Sequence, residues 1–301
     1  MYESVEILSA DEAEELLKGD SLKNAAVICF YNPGGRSQDY SRACSAAITV
    51  PVEDLSYDSI GTENDPAFFP QAAEAADFVR RASEEGKKIF CQCDYGQGRS
   101  AGCAAAILEY YEGKGLDIFT DYAYQPNKPI YHKLLKELRK SGGENNRAGA
   151  EASGSLLPAA VLTEKEAEPL RKRIPEKTAI INFCDAVSGP FPFGPGGRCL
   201  NVCAEDAEME DLKMEGKTLK EYFPEADTAA AFLRQAAADG YRIFCRSDYD
   251  TDRSSACAAA VRQFFRQAGL EIFSDFRYNP SKPVYHKLME ALNRGKQHGT
   301  P

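Results

Sequence analysis

One segment of the chain carries side chains that could perform chemistry on a phosphate group: Cys93-Asp94-Tyr95-Gly96-Gln97-Gly98-Arg99-Ser100. Five residues between the cysteine and the arginine can wrap an oxyanion with successive amides pointing inward. Gly96 and Gly98 allow the close approach and positive φ that such a cradle needs. At its far end, Arg99 offers a planar fork to two phosphate oxygens. The predicted phosphate-binding residues are Asp94, Tyr95, Gly96, Gln97, Gly98 and Arg99.

The cysteine that opens this segment is the predicted nucleophile. A thiol that lies at a helix N-terminus beside a guanidinium favours the thiolate form, so Cys93 should be reactive at neutral pH. Ser100 would donate a hydrogen bond to this sulfur when the sulfur becomes a leaving group. Cys93, Arg99 and Ser100 are therefore predicted to act together.

Strands and a helix are predicted on either side of the loop. Apolar runs at 25–30, 47–52 and 87–92 are short enough to be strands of a buried sheet. The third run leads into the loop, and the small-residue stretch 100–111 predicts the helix that follows. The amides of the loop should therefore face a helix N-terminus, a geometry that binds anions.

The chain repeats itself at an offset of 154 residues. Residues 87–111 are similar in sequence to residues 241–265. Another such pair of similar segments has one member near the end of each copy. The stretch 140–158 between the copies is rich in Gly, Ser, Asn and Ala, which is typical of a flexible linker. Each copy opens with a capping box ahead of its first amphipathic helix: Ser9 with Glu12, and Thr163 with Glu166.

With these features, the first copy resembles the dual-specificity branch of the protein tyrosine phosphatases, especially compact bacterial members whose loop reads Cys-Asp-x-Gly-x-x-Arg-Ser. Residues 48–60 are similar to the segment that carries the family's general acid, and the matching residue is Asp54. Residues 125–138 are similar to the family's closing Pro-Asn turn and helix. The resemblance implies a reaction without metal or cofactor, in which Cys93 forms a phosphocysteine while Asp54 protonates the leaving oxygen. Water, activated by the same carboxylate, then releases phosphate.

Two departures from the family pattern affect the first copy. The residue before the nucleophile is Gln92, where the family usually has histidine. Asp54 lies 39 residues before Cys93, further than is usual in the family, so Asp58 and Asp65 are rival general acids.

The second copy has lost its nucleophile and its glycines. At the same offset the cysteine becomes Ser247, and the two glycines become Asp250 and Asp252, while Arg253 is kept. A serine without a base is a poor nucleophile, and aspartates around the cradle repel a phosphate dianion. We predict a non-catalytic copy in which Arg253 pairs with the loop's own aspartates. Three alternating aspartates, including Asp248, could also bind a divalent cation, although the loop lacks the glycine and distal glutamate of a calcium hand.

Composition restricts the partners and the compartment. The formal charge of −10 argues against nucleic acid and anionic membranes, because both need a basic face. Several of the ten cysteines lie in apolar strand-like runs, as small buried hydrophobes do, which predicts a reducing cytoplasm. No export signal or membrane span is visible in the sequence.

The predicted fold class is α/β, with two tandem dual-specificity-phosphatase-like domains, each a central mixed sheet flanked by helices. The active domain is predicted at 1–141, the linker at 142–157 and the degenerate domain at 158–301, and the two domains are expected to contact each other. The resemblance implies a phosphomonoester hydrolase of the protein tyrosine and dual-specificity type, which acts through a phosphocysteine in the first domain; the expected partner is a phosphorylated protein or a small phosphorylated molecule. The alternatives are a non-catalytic phosphoprotein-binding or scaffold protein, and a phosphatase of a small phosphorylated metabolite.

Overall fold

A computed structural model describes residues 5–60, 67–141, 159–184, 189–205, 207 and 209–297. Contacts within the chain divide it into two compact units, Met1–Glu151 and Ala152–Pro301. The predicted linker, 142–157, lies outside the described residues. The predicted domain limits therefore stay predictions.

The strands of the first unit are β1 Val5–Leu8, β2 Ala25–Tyr31, β3 Ala46–Pro51 and β4 Lys88–Gln92. They form a four-stranded sheet in the order β1-β4-β2-β3. The strands β2, β3 and β4 confirm the three apolar runs to within a residue at each end. Every strand pair in the described part of this unit is parallel, so the predicted mixed sheet is wrong there. Parallel strands need crossover connections, and helices provide most of them here.

Six helices accompany this sheet in the described part of the first unit. The most deeply buried is α4, whose residues from Arg99 to Leu108 are all buried. Its small residues let other elements approach closely: a Cβ at Gly102 would lie 2.4 Å from the backbone oxygen of Asn127. The helices are α1 Ala10–Leu17, α2 Tyr57–Ile60, α3 Ala72–Glu84, α4 Arg99–Glu112, α5 Gly115–Thr120 and α6 Lys128–Ser141.

The second unit has a parallel sheet with the equivalent strand order, β5-β8-β6-β7. Its strands are β5 Ala159–Val161, β6 Thr178–Cys184, β7 Arg198–Cys203 and β8 Arg242–Ser247. Here too the described strand pairs are all parallel, so a mixed sheet is again wrong. Across both units, none of the described helices combines the length and the apolar character needed to cross a bilayer.

Both predicted capping boxes are confirmed, but the helices that they open differ. Ser9 caps α1, which runs for two turns. Thr163 caps α7, which ends after four residues and continues as a 3-10 turn, Glu168–Arg171. Pro169 lies in that turn, and because proline has no N–H it cannot support a longer α-helix there. The helices of this unit are α7 Glu164–Ala167, α8 Met209–Met214, α9 Leu219–Tyr222, α10 Ala226–Ala238, α11 Asp252–Arg266, α12 Leu270–Phe273 and α13 Lys282–Gln297.

Candidate active site

The predicted nucleophile and its serine partner meet at the start of α4. Strand β4 ends at Gln92, and α4 begins at Arg99, so residues 93–98 form the turn between them. Cys93 is 2% exposed, and its Sγ lies 3.0 Å from the Oγ of Ser100, which is fully buried. The structure therefore brings this predicted pair within hydrogen-bonding distance.

Several backbone carbonyl groups of the loop accept hydrogen bonds, whereas its amides remain available. The oxygens of Asp94, Gln97 and Gly98 accept hydrogen bonds from backbone amides of α1 and of the segment before α6. By contrast, the N–H groups of residues 94–98 have no acceptor within the part of the chain that the structure describes. A run of free amides that leads into a helix N-terminus is a site for an anion.

The two glycines of the loop are needed for different reasons. Gly96 has a φ of +69°, and a Cβ there would lie 2.8 Å from the backbone nitrogen of Ser9. Gly98 has a φ of −97°, so the predicted positive φ is wrong at that position. A Cβ at Gly98 would instead lie 2.7 Å from Oδ2 of Asp54. Gly98 thus provides the space that lets a carboxylate approach the loop.

The guanidinium of Arg99 is buried and held on one side. Its Nη1 donates to Oδ1 of Asn32 at 3.1 Å and to the backbone oxygen of Val52 at 2.9 Å, and its Nη2 donates to Oδ2 of Asp94 at 2.6 Å. Nε has no hydrogen-bond acceptor among the described residues. A guanidinium has five N–H donors, so Nε and one hydrogen of Nη2 remain for a ligand. Asn32 and Val52 were not predicted, because nothing in the sequence links them to the loop.

The predicted general acid lies beside this guanidinium. Oδ2 of Asp54 is 3.9 Å from Nε of Arg99, and its Oδ1 accepts a hydrogen bond of 2.8 Å from Nδ2 of Asn127. Asn127 also donates to the backbone oxygen of Leu55 at 3.0 Å. Its own backbone N–H donates to Gly98, which ties the acid segment to the loop. The sequence placed Asn127 in a turn but did not reveal this contact.

The rival acids are not tested by the structure. Asp58 falls in α2, and its side chain lies outside the described residues, as does the whole of Asp65. Of the three candidate acids, Asp54 is the one whose side chain the structure describes, and it lies beside the loop.

Gln92, which immediately precedes the predicted nucleophile, is buried. Its Nε2 donates to the backbone oxygen of Cys93 at 2.9 Å. The side chain thus supports the backbone of the nucleophile as an uncharged donor.

The other buried thiols near the loop are poor nucleophiles. Burial raises the pKa of Cys29 to about 11. Burial, together with the neighbouring Cys91, also raises the pKa of Cys103 well above its ordinary value. The sulfurs of Cys91 and Cys103 lie 3.6 Å apart in the core. Packing in the core therefore accounts for the cysteine at position 91. At neutral pH Cys29 and Cys103 stay protonated.

The loop of the second unit uses its donors internally. The Oγ of Ser247 donates to the backbone oxygen of Asp250 at 2.6 Å. The amide of Asp250 donates to the backbone oxygen of Asp248 at 2.8 Å, and the amide of Asp252 donates to a carboxylate oxygen of Asp250 at 3.1 Å. Positive φ occurs at Tyr249, one position before the counterpart of Gly96. These amides are therefore occupied by the loop itself.

The surviving arginine of this loop does not bind the aspartate side chains as predicted. Arg253 is 2% exposed and donates to the backbone oxygens of Ala204, at 2.8 Å, and Asp248, at 3.1 Å. The carboxylate of Asp248 pairs instead with Arg246, at 2.6 Å. No group of three or more metal-ligating side chains is arranged to hold a metal ion anywhere in the described ranges.

No family model and no curated protein matches the chain. Among solved structures it is similar to the human tyrosine phosphatase-like serine/threonine/tyrosine-interacting protein, with 16% identity, 42% of this chain and 83% of that chain covered, and a TM-score of 0.31. It is also similar to Tk-PTP in the active form, with 18% identity, coverage of 46% and 90%, and a TM-score of 0.32. PTPMT1 in complex with PI(5)P shows 10% identity, coverage of 46% and 91%, and a TM-score of 0.31. Identities this low carry no information on the substrate.

Replacing Gly96 by alanine should destabilise the protein more than the same change at Gly86. Both glycines have positive φ, +69° and +65°, so each variant loses about 1–2 kcal/mol from backbone strain. The space around Gly86 is open, whereas the new Cβ at position 96 would displace the backbone of Ser9. We expect Gly96→Ala to cost about 3 kcal/mol or more in the free energy of unfolding, measured with urea. Equal losses in the two variants would show that the loop does not press on the start of α1.

Proposed function

We propose that the protein is a phosphomonoester hydrolase of the protein tyrosine and dual-specificity phosphatase type, which acts through a phosphocysteine in its first unit. One observation carries the proposal: the sulfur of Cys93 lies 3.0 Å from Ser100, in a loop whose amides at 94–98 have no acceptor in the described chain. The donors of Arg99 that have no acceptor add to the groups that could bind a phosphoryl group. Such an arrangement offers a nucleophile and a cradle for the three oxygens of a transferring phosphoryl group.

In the first step, the thiolate of Cys93 attacks phosphorus, and the bond between phosphorus and the ester oxygen breaks. The leaving oxygen takes a proton from Asp54, which must therefore be protonated when the substrate binds. The amides of the loop and Arg99 stabilise the charge on the equatorial oxygens, and they need little reorganisation because the fold already holds them.

In the second step, water attacks the phosphocysteine and the bond between sulfur and phosphorus breaks. Asp54 accepts the proton of the water, so it returns to the state that the next cycle needs. Ser100 donates a hydrogen bond to the sulfur as it leaves as a thiolate, which the distance between the two atoms allows. Phosphate then dissociates.

We further propose that the second unit is a degenerate tandem copy without catalytic activity. Ser247 uses its hydroxyl to bind the backbone of its own loop, so the proton that an attacking oxygen must lose is already engaged. Two of the amides that would bind a phosphate are occupied, and three aspartates surround the position. A dianion would meet repulsion where the first unit offers donors.

The proposed substrate is a phosphomonoester on a protein, or a small phosphorylated molecule. The loop carries no lysine, which a polyphosphorylated substrate would favour. Tyr95, in the middle of the loop, is 82% exposed and leaves an aromatic surface beside the site. A cytoplasmic location remains a prediction from the cysteine pattern.

Hydrolysis of para-nitrophenyl phosphate without added metal tests the proposed function directly. We expect the full chain to turn over and to be inhibited by vanadate, whereas Cys93→Ser should lose essentially all activity because the nucleophile is gone. Cys199→Ser, which removes an exposed thiol of the second unit, is the matched control and should keep full activity. A folded protein that binds vanadate but shows no turnover, on this substrate or on phosphotyrosine peptides, would instead be a phosphate-binding module.

Replacing Asp54 by asparagine should lower kcat about 10²–10⁴-fold on an alkyl phosphate, because the poor leaving group needs a proton. The loss should be smaller on para-nitrophenyl phosphate, whose leaving group is stable as an anion. Asn127→Ala removes the hydrogen bond to the Asp54 carboxylate but leaves the carboxylate in place. Its kcat should therefore fall less than that of Asp54→Asn on both substrates. If Asp54→Asn loses less than about tenfold on the alkyl phosphate, the acid is another residue, and Asp58→Asn and Asp65→Asn become the next variants.

A cysteine at position 247 should not restore activity. In the full chain that carries Cys93→Ser, the added change Ser247→Cys supplies a thiol, but the occupied amides and the three aspartates remain. We expect turnover to stay at the level of Cys93→Ser alone. Activity in the double variant above that level would show that the second loop can still bind a phosphate dianion.

A further inference from the structure

Building on the proposed function, we infer that Asp94 is a positioning residue for Arg99, and that the uncharged side chain of Gln92 is what leaves Asp94 available for this role. Neither residue has to touch the reacting atoms. Asp94 acts on the guanidinium that binds phosphate, and Gln92 acts by not competing for Asp94.

The contacts of Asp94 hold the guanidinium from the side. Its Oδ2 accepts a charge-assisted hydrogen bond of 2.6 Å from Nη2 of Arg99. Asn32 contacts both partners, because its Oδ1 accepts from Nη1 and its Nδ2 lies 3.5 Å from the same carboxylate oxygen. A guanidinium that is only 3% exposed needs a counter-charge, and Asp94 supplies one. The three side chains form a closed ring of contacts that fixes the plane of the guanidinium.

The second unit shows what happens when a different side chain precedes the nucleophile position. Arg246 stands in the place of Gln92, and its Nη1 donates to Asp248 at 2.6 Å and to Asn182 at 2.8 Å. Asp248 is the counterpart of Asp94. Arg253 therefore contacts Asp248 through its backbone oxygen, at 3.1 Å, and not through its carboxylate. An aspartate at this position can thus bind the arginine at the end of the loop or an arginine before the nucleophile position. The residue before the nucleophile position determines which pair forms.

Gln92 is suited to this role because it donates without carrying a charge. Its amide binds the backbone oxygen of Cys93 at 2.9 Å, so it supports the loop but offers no cation to attract Asp94. An ion pair to a buried guanidinium is stronger than a hydrogen bond between neutral groups. A guanidinium at position 92 would therefore compete with Arg99 for Asp94, and in the second unit Arg246 rather than Arg253 binds the carboxylate of Asp248.

An opposite role for Asp94 makes the inference testable. A carboxylate beside the site could repel the phosphate dianion and weaken its binding. Positioning predicts that removal of Asp94 weakens anion binding, whereas repulsion predicts that removal strengthens it. The count of donors favours positioning, because Asp94 occupies one N–H of Nη2 and leaves a second one, together with Nε, for the ligand.

The first test compares Asp94→Ala and Asp94→Asn in the full chain, with vanadate binding by calorimetry and kinetics on para-nitrophenyl phosphate. We expect Asp94→Ala to weaken vanadate binding and lower kcat/KM by about 10- to 100-fold, the range for loss of a hydrogen bond to a charged group. Asp94→Asn keeps an oxygen that can accept a hydrogen bond from Nη2, so it should retain most of the vanadate affinity and most of the kcat/KM. Glu14→Gln, which removes an exposed carboxylate from α1, controls for the change in net charge. Tighter vanadate binding by both Asp94 variants, or no change in either, would overturn the inference.

The second test is a double-mutant cycle between positions 92 and 94. Gln92→Arg should weaken vanadate binding about as much as Asp94→Ala, and Gln92→Met, of similar length but uncharged, should weaken it less. Adding Asp94→Ala to Gln92→Arg should then cost little, because the carboxylate has already left Arg99. If the losses of vanadate affinity in the two single variants simply add in the double variant, the two positions act separately and the inference is overturned.

These readouts separate the inference from the proposed function. Thermal unfolding shows that each variant is folded before its binding is compared. If the unmodified protein binds vanadate without hydrolysing any substrate, the catalytic proposal fails while the calorimetric comparison of the Asp94 variants still tests positioning. If the unmodified protein is active and the Asp94 and Gln92 variants behave like it, only the inference fails.

Discussion

The burial of one guanidinium is the constraint on which the candidate site depends. Arg99 is 3% exposed, and a buried cation is costly unless its N–H groups have partners. Its partners come from the carboxyl ends of three adjacent strands: Asn32 follows β2, Val52 follows β3, and Asp94 follows β4. Only a sheet in which these strands run parallel and lie side by side brings the three ends together. The strand order and the site are therefore consequences of the same arrangement.

A candidate anion site is compatible with the acidic composition of the chain, because charges in salt solution interact only over short distances. The chain has a formal charge of −10, but at physiological salt the Debye length is only about 8 Å. Within that distance the loop offers free amides, a helix N-terminus and Arg99. Among the described residues, two carboxylates lie within 4 Å of the Arg99 guanidinium: Asp94 accepts a hydrogen bond from it, and Asp54, at 3.9 Å, is held by Asn127.

The two loops differ at few positions and yet form different hydrogen bonds. Both units keep the buried arginine and the serine that follows it, and the strand order is equivalent. In the second unit the serine at the nucleophile position and the aspartates form hydrogen bonds among themselves, so the donors that would meet an anion are occupied. The fold tolerates this change because the loop's hydrogen bonds are still made, now within the loop.

The sequence alone determined three strands of the first sheet, the capping boxes, the loop and the pairing of Cys93 with Ser100, because these depend on residues that are close along the chain. Periodicity and turn chemistry are local, and seven positions separate the cysteine from the serine. The tertiary structure alone decided that the described strands are all parallel, that Asn32 holds Arg99 and that Asn127 holds Asp54. Those contacts join residues 67 and 73 positions apart. It also decided that Asp94 binds Arg99, because a carboxylate with several possible cations selects the one that the packed fold brings closest.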